Sequence, residues 1–296
     1  MEKKFAIITD STADLGKDLR EKYDIDYVCM TISVEGKEYQ ASLDWEEYSL
    51  QEFYDWMRKG IRVYTTQVPN DNFKKKFVSY LEKGIDVLYI ACSSALSASY
   101  KASLVIKEEL SSLYPERKIV CVDSLISSMG EGQIAIEASK MREARKTIEE
   151  IAAWIEEHRN QYHQFATVED LGYLKRAGRV KATKAFLGNL FGIKPIIISD
   201  AKGQNYAYKK AKGRKGAYAE IISSIRDEIL DGNEQYISIT HADCLSDAEE
   251  LKKRILEEIP CKGVYINSIG PIVGASVGPG TLSVYFYGKE VKIIEE

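Results

Sequence analysis

The chain has 296 residues, 45% of them hydrophobic and 29% charged, with a formal net charge of -4. That length predicts two domains of ordinary globular composition, large enough to fold without disulfides or a metal. The acidic balance excludes nucleic acid and an anionic membrane surface as main partners.

Five cysteines (Cys29, Cys92, Cys121, Cys244, Cys261) make no C-x-x-C pair, and three lie in apolar runs as small hydrophobes would. This fits a reducing compartment. With no signal-peptide core after Met1 and no apolar run long enough to span a bilayer, the expected location is cytoplasmic.

The first half alternates short apolar runs with helical patterns. Phe5–Thr9 predicts a strand ending in Asp10-Ser11-Thr12, and Leu15, Leu19 and Tyr23 recur at helical spacing. Residues 26–32 read as one second strand, Glu35-Gly36 as a turn and Leu50–Met57 as a helix with Trp56 on its apolar side. Arg62–Tyr64 extends into Thr65-Thr66-Gln67-Val68-Pro69. A helix capped by Asn70 or Asp71 follows, with Phe73, Phe77, Tyr80 and Leu81 on one face and Gly84 past its end. Val87–Cys92 is an uncharged strand that gives way to Ser93-Ser94-Ala95-Leu96-Ser97 and a further helix. Lys118–Val122 is a strand ending in Asp123-Ser124, and residues 147–158 close the half as a helix.

Such alternation is the pattern of a parallel α/β sheet, whose strand carboxyl ends share one edge and bind ligands there. Ser11, Thr65, Thr66, Ser93, Ser94 and Ser124 are therefore expected to gather. Hydroxyls at a helix N-terminus, without histidine, lysine or paired carboxylates, suit an anionic head group better than acid–base chemistry. No P-loop and no dinucleotide fingerprint is present.

After Asn160 the pattern changes. A strand at 165–168 leads into a helix carrying Leu171, Leu174 and Ala177, closed by Gly178, and 181–190 reads as a second short helix. Residues 193–199 and 205–210 form a hairpin. A helix bearing Tyr218, Ile221, Ile222, Ile225 and Ile229 follows, then strands at 235–240 and 263–266. Ser246 and Glu249 read as a capping box between them. The glycine-rich run 269–280, with Gly274 and Gly278, reads as a loop that lets backbone approach a ligand, or as a tight structural turn. Gly288-Lys289 reads as a hairpin turn before 291–294. The fold class is α/β: a parallel-sheet domain over 1–160, then an α+β domain with a mixed sheet over 161–296.

With these pieces in order, the chain resembles the DegV family of bacterial fatty-acid-binding proteins. The likeness rests on Ile7–Leu15, Thr65-Thr-Gln-Val-Pro69, Ser93–Tyr100, Asp170–Arg179 and the run 269–280, which together span most of the chain. It implies a long-chain fatty acid in the interdomain cleft and no other cofactor. Thr65 and one or both of Ser93 and Ser94 would hold the carboxylate, with Ser276 beside them. Ser11, Thr66, Gly274 and Gly278 would line the cleft. It further implies a non-catalytic acyl carrier that presents its cargo to a separate ATP-binding fatty acid kinase subunit. Arg179 falls on an arginine that kinase-coupled members use near the kinase. Lys175 and Arg176, with the basic run 209–215, offer a docking face or simply a solvated surface. Transient membrane contact would let the lipid exchange. Ser276 stands where that branch commonly has histidine, and Ala95 and Ala98 replace glycines.

The alternatives are a lipid sensor without kinase coupling and a serine-dependent acyl hydrolase. Against the hydrolase, Cys92-Ser-Ser-Ala-Leu96 lacks both glycines of a nucleophile elbow. Of three histidines (His158, His163, His241), only His241, beside Asp243, stands at a strand end like a site residue, and a structural role suits it as well. No Cys/His cluster suggests a metal.

Overall fold

The computed structural model describes residues 5–181, 186 and 192–293. Four strands, β1 (Phe5–Asp10), β2 (Ile25–Val28), β6 (Asp86–Ala91) and β7 (Ile119–Asp123), form a wholly parallel sheet in the order β2-β1-β6-β7. All six residues of β1 are buried, which is why the run lacks polar alternation. One face packs on α3 (Asn70–Leu81) and α4 (Ser99–Leu113), with Phe73 edge-on to Tyr89 at 5.1 Å. The other packs on α1 (Lys17–Tyr23), α5 (Met129–Glu143) and α6 (Ile148–His158) through Leu19, Ile134 and Ile151.

The run 26–32 is not one strand. It divides at Cys29-Met30, where β3 (Thr31–Val34) leaves to pair antiparallel with β4 (Lys37–Gln40) and β5 (Val63–Thr65). Side chains satisfy the backbone at the break. The Met30 N–H donates to Ser11 Oγ at 2.9 Å, and Asn72 Nδ2 donates to the Cys29 carbonyl at 2.9 Å. Thr65 and Thr66 thus arrive from this small sheet, not from a carboxyl end of the parallel one. Between β4 and β5, α2 (Leu50–Arg58) starts at a Ser49–Glu52 capping box.

The second sheet is mixed. Its strands are β8 (Tyr162–Thr167), β9 (Ile193–Ser199), β10 (Asn205–Lys212), β11 (Tyr236–His241), β12 (Gly263–Ser268) and β13 (Leu282–Tyr287), in the order β10-β9-β8-β13-β11-β12. Only β11 and β12 run parallel. Helices α8 (Gly213–Glu228) and α9 (Leu245–Glu258) bury one face with Tyr218, Ile221 and Leu251 against Phe165, Ile237 and Phe286. The alternate residues of β8 and β13 turn toward the first sheet. There Gln133 of α5 donates to the Tyr285 carbonyl at 3.2 Å and to Ser238 Oγ at 3.1 Å. Two further helices, α7 (Leu171–Ala177) and α10 (Pro271–Val277), lie between the sheets' edges.

Three sequence expectations are corrected here. The run 269–280 is largely helical: Pro271 sits in the first turn of α10, where its missing N–H costs nothing. The Ser246–Glu249 capping box does not form, because α9 already starts at Leu245 with Cys244 at its N-cap. Gly288-Lys289 makes no hairpin; the Gly288 and Val291 N–H groups donate to the carbonyls of Gln161 and Asn160 instead. The helix expected at 181–190 lies outside the described residues apart from Lys181 and Phe186. No described helix is long and apolar enough to cross a membrane.

Candidate functional site

A cleft of about 210 Å³ separates the two sheets. Thr12, Met30 and Cys92 contribute from the first sheet's strand ends, and Gln164, Ala166 and Tyr285 from the second sheet's inner face. Leu174, Ile272, Val273 and Val277 of α7 and α10 supply apolar walls. Its inner end is buried at Thr12, Cys92 and Tyr285, while Thr65, Thr66 and Arg179 at the other end are exposed. Thr65, Arg179 and Ser276 also border an adjoining hollow of about 510 Å³ that contains Arg62, Tyr173 and Arg176. The cleft therefore has a polar, cationic mouth and a buried interior.

The expected site residues separate into two groups. Thr65, Thr66 and Ser276 meet at the mouth. Thr66 Oγ1 lies 2.6 Å from Thr31 Oγ1, whereas the Thr65 hydroxyl makes no hydrogen bond among the described residues. Ser276 Oγ reaches back toward the Ile272 carbonyl at 3.5 Å, a weak partner it can give up. The others do not line the cleft. Ser93 is fully buried, donating to the Gly203 carbonyl at 2.8 Å and accepting from the Ala95 N–H at 3.2 Å. The Ser94 N–H is bound to Asp123 at 3.1 Å. Ser11 holds the bend at Met30. Gly274 and Gly278 let α10 approach its neighbours: a Cβ would lie 2.7 Å from the Tyr54 hydroxyl at Gly274 and 2.4 Å from the Tyr173 ring at Gly278.

Ser97 is the serine of that stretch that reaches the cleft. The sequence reading missed it by taking Ser93 and Ser94 as the carboxylate ligands. Helix α4 begins at Ser99, and residues 93–98 form a turn that brings Ser97 and Ala98 to the mouth. Ser97 Oγ lies 3.0 Å from Ser99 Oγ, which accepts in turn from the Val68 N–H at 3.1 Å. The start of α4 therefore holds the Thr65–Val68 segment in place. Gln164, Ser283 and Asn205 were missed as well. Alternation along β8 and β13, which places Gln164 and Ser283 opposite the Phe165 face, was the available signal.

Arg179 donates from Nε to the Leu96 carbonyl at 2.6 Å, linking the end of α7 to the same turn. Lys175 is exposed, and the Arg176 guanidinium lies 4.6 Å from the Tyr173 ring centroid. His241 is a structural residue: its Nδ1 accepts from the Cys244 N–H at 3.3 Å. Burial holds its pKa below the ordinary range.

Three carboxyl groups lie fully buried near the cleft floor. Thr12 Oγ1 is 2.5 Å from Asp10 Oδ1 and 2.7 Å from Glu131 Oε2. A hydroxyl carries one proton, so it can donate to only one of two carboxyl groups. Burial raises the Asp10 pKa too, but Asp10 receives further donors from the Thr12 N–H at 2.9 Å and Tyr89 at 2.7 Å, which make it the better placed of the two to hold the charge. Glu131 is then the neutral acid, donating to Thr12, and burial together with the Asp10 charge drives its pKa well above the carboxylate range. Asp14 accepts from the Gly270 N–H at 2.7 Å and Ser128 Oγ at 2.5 Å, and burial lifts its pKa to about 7. The Cys92 thiol is likewise pushed up by burial and stays protonated. Among the described residues that line the cleft there is no histidine.

A family model described as "Uncharacterised protein, DegV family" matches residues 4–289. A DegV domain-containing protein of Clostridium perfringens is 39% identical over 97% of this chain and 98% of its own length. Among solved structures, a DegV lipid-binding protein from Thermotoga maritima superposes with a TM-score of 0.86 at 28% identity, over 98% of this chain and all of that one. A DegV family protein from Thermus thermophilus, described by its fatty acid binding, gives 0.86 at 27% identity over 97% of this chain and all of that one.

Proposed function

Since the chain belongs to the DegV family, we propose that its cleft holds one long-chain fatty acid, carboxylate at the mouth and tail inward. The observation that carries this reading is the cleft's lining: hydroxyls and a guanidinium at an exposed mouth, with an aliphatic wall from α7 and α10 behind it, opposite Gln164, Asn205 and Ser283. The fatty acid binding described for the Thermus thermophilus relative supports it.

In this reading the head group is held by Thr65 and Ser97, with Arg179 and Ser276 beside it. The first turn of α4 adds the positive end of a helix dipole. The tail runs along Met30, Leu96, Leu174, Ile272 and Val277. About fourteen buried methylenes at roughly 0.8 kcal/mol each contribute on the order of 10 kcal/mol before ordering and association costs. Each hydroxyl bond to the carboxylate contributes roughly 1.5–3 kcal/mol, which offsets head-group burial and fixes orientation.

A carboxylate at an open mouth is also within reach of a second protein. We therefore read the arginine-bearing hollow beside it as a docking face for an ATP-binding kinase subunit that phosphorylates the bound acid. Calorimetric titration of delipidated protein tests the binding site. Thr65→Val and Ser97→Ala should each lose about ten- to a hundredfold in affinity, and unchanged affinity in both would move the head group elsewhere. Arg176→Glu should leave that affinity intact while lowering acyl phosphate formation with a kinase subunit.

A further inference from the structure

A second hollow, of about 530 Å³, opens where α5 and α6 meet the β12 edge of the mixed sheet, and it shares no lining residue with the cleft. Six aromatic side chains line it: Tyr23, Trp154, Tyr162, Tyr236, Tyr265 and Tyr287. Two stacked pairs stand in its walls, Tyr236 on Tyr265 at 4.6 Å and Trp154 on His158 at 4.5 Å.

One buried acceptor of this hollow lacks a partner. Gln133 has its amide orientation fixed, because Nε2 faces the carbonyls of Tyr236 and Tyr285. Its Oε1 is left buried with no hydrogen-bond partner. His158 Nδ1 lies 2.8 Å from the Trp154 carbonyl, which can only accept, so Nδ1 carries a proton. The two lining lysines are neutralised, Lys140 by Glu137 at 2.9 Å and Lys262 by Glu234 at 3.2 Å. Asp231 has no ion-pair partner among the described residues. At the rim, the Lys22 ammonium already lies 5.1 Å from the Tyr23 ring centroid.

We propose that this hollow is a second ligand site, for a small organic cation of the ammonium class. Aromatic faces attract cations through their quadrupole, and the Asp231 carboxylate adds a negative charge to the same lining. An anion would meet that carboxylate and the negative faces of the rings.

Calorimetric titration of the full, lipid-loaded chain with choline tests this, with 3,3-dimethylbutanol as an uncharged isostere. Choline should bind saturably, and the isostere about tenfold more weakly. Tyr236→Ala and Asp231→Asn should each weaken choline by about two- to thirtyfold, the span of a desolvated cation–π contact. Tyr236 is 42% exposed, so its truncation should leave the melting temperature unchanged and keep the comparison interpretable. Absence of saturation, equal binding of the isostere, or affinity unchanged by both substitutions would overturn the proposal.

Discussion

The Ser93 hydroxyl donates to the Gly203 carbonyl oxygen across 2.8 Å, joining the end of β6 to the turn between β9 and β10. It is a tie between the two halves of the chain, made at full burial. Ser93→Ala should therefore cost about 1–3 kcal/mol of stability by leaving a buried carbonyl unpaired. The reading is a lower urea midpoint with little change in lipid affinity. Gly203→Ala should cost more. Its φ of +74° is strained for alanine, and the new Cβ would stand 2.3 Å from Ser93 Oγ.

Glu131 and Asp10 share one hydroxyl, which requires one of the two acids to be neutral. Glu131→Gln should be tolerated within about 1 kcal/mol, because an amide donates to Thr12 as the protonated acid does. Thr12→Val, which leaves two buried carboxyl groups facing a methyl, should be far more damaging. Chemical denaturation of both variants decides it, and a Glu131→Gln loss equal to that of Thr12→Val would mean the proton lies elsewhere.

Asp14 gives a pH dependence of definite sign. Its folded-state pKa of about 7 stands above the ordinary aspartate value of 3.8, through burial. The folded protein therefore binds the extra proton, and stability falls as pH rises from about 4 through about 7. The gap corresponds to on the order of 4 kcal/mol as an upper bound. Asp14→Asn, which keeps an acceptor for the Gly270 N–H and turns an amide N–H toward Ser128 Oγ, should flatten that slope. Denaturant midpoints across the window, parallel in the two proteins, would contradict the assignment.

How far the sequence carried the argument follows from where each property is encoded. The parallel strands were legible because burial on both faces writes itself as an unbroken apolar run, as in Phe5–Ile8 and Val87–Ala91. The break at Cys29-Met30 was not, since Thr31 and Ile32 continue the strand propensity and only Ser11 and Asn72 mark the bend. α10 hid behind four glycines, although Pro271 announces a helix start. At the site the kind of group was legible, but not which serine carries it. Ser93 is withdrawn by Gly203, 110 residues away, and α4 starts without a side-chain cap that would reveal its first turn.

At the mouth, Ser276 offers one hydroxyl and no titratable charge, so fatty acid affinity should vary little between about pH 5.5 and 7.5. Ser276→His should introduce tighter binding on the acidic side, as an imidazolium comes to face the carboxylate. Titrations at the two ends of that range check both statements. A steep pH dependence in the unaltered protein would place another titrating group at the head group.

The central claim is the identity of the cargo, and the most direct measurement is mass spectrometry of the purified chain after denaturation in organic solvent. The account predicts one long-chain fatty acid released per chain, and none from protein that has been delipidated and refolded. A chain that releases no lipid from the native state, or that releases a nucleotide or a sugar phosphate in its place, would contradict it.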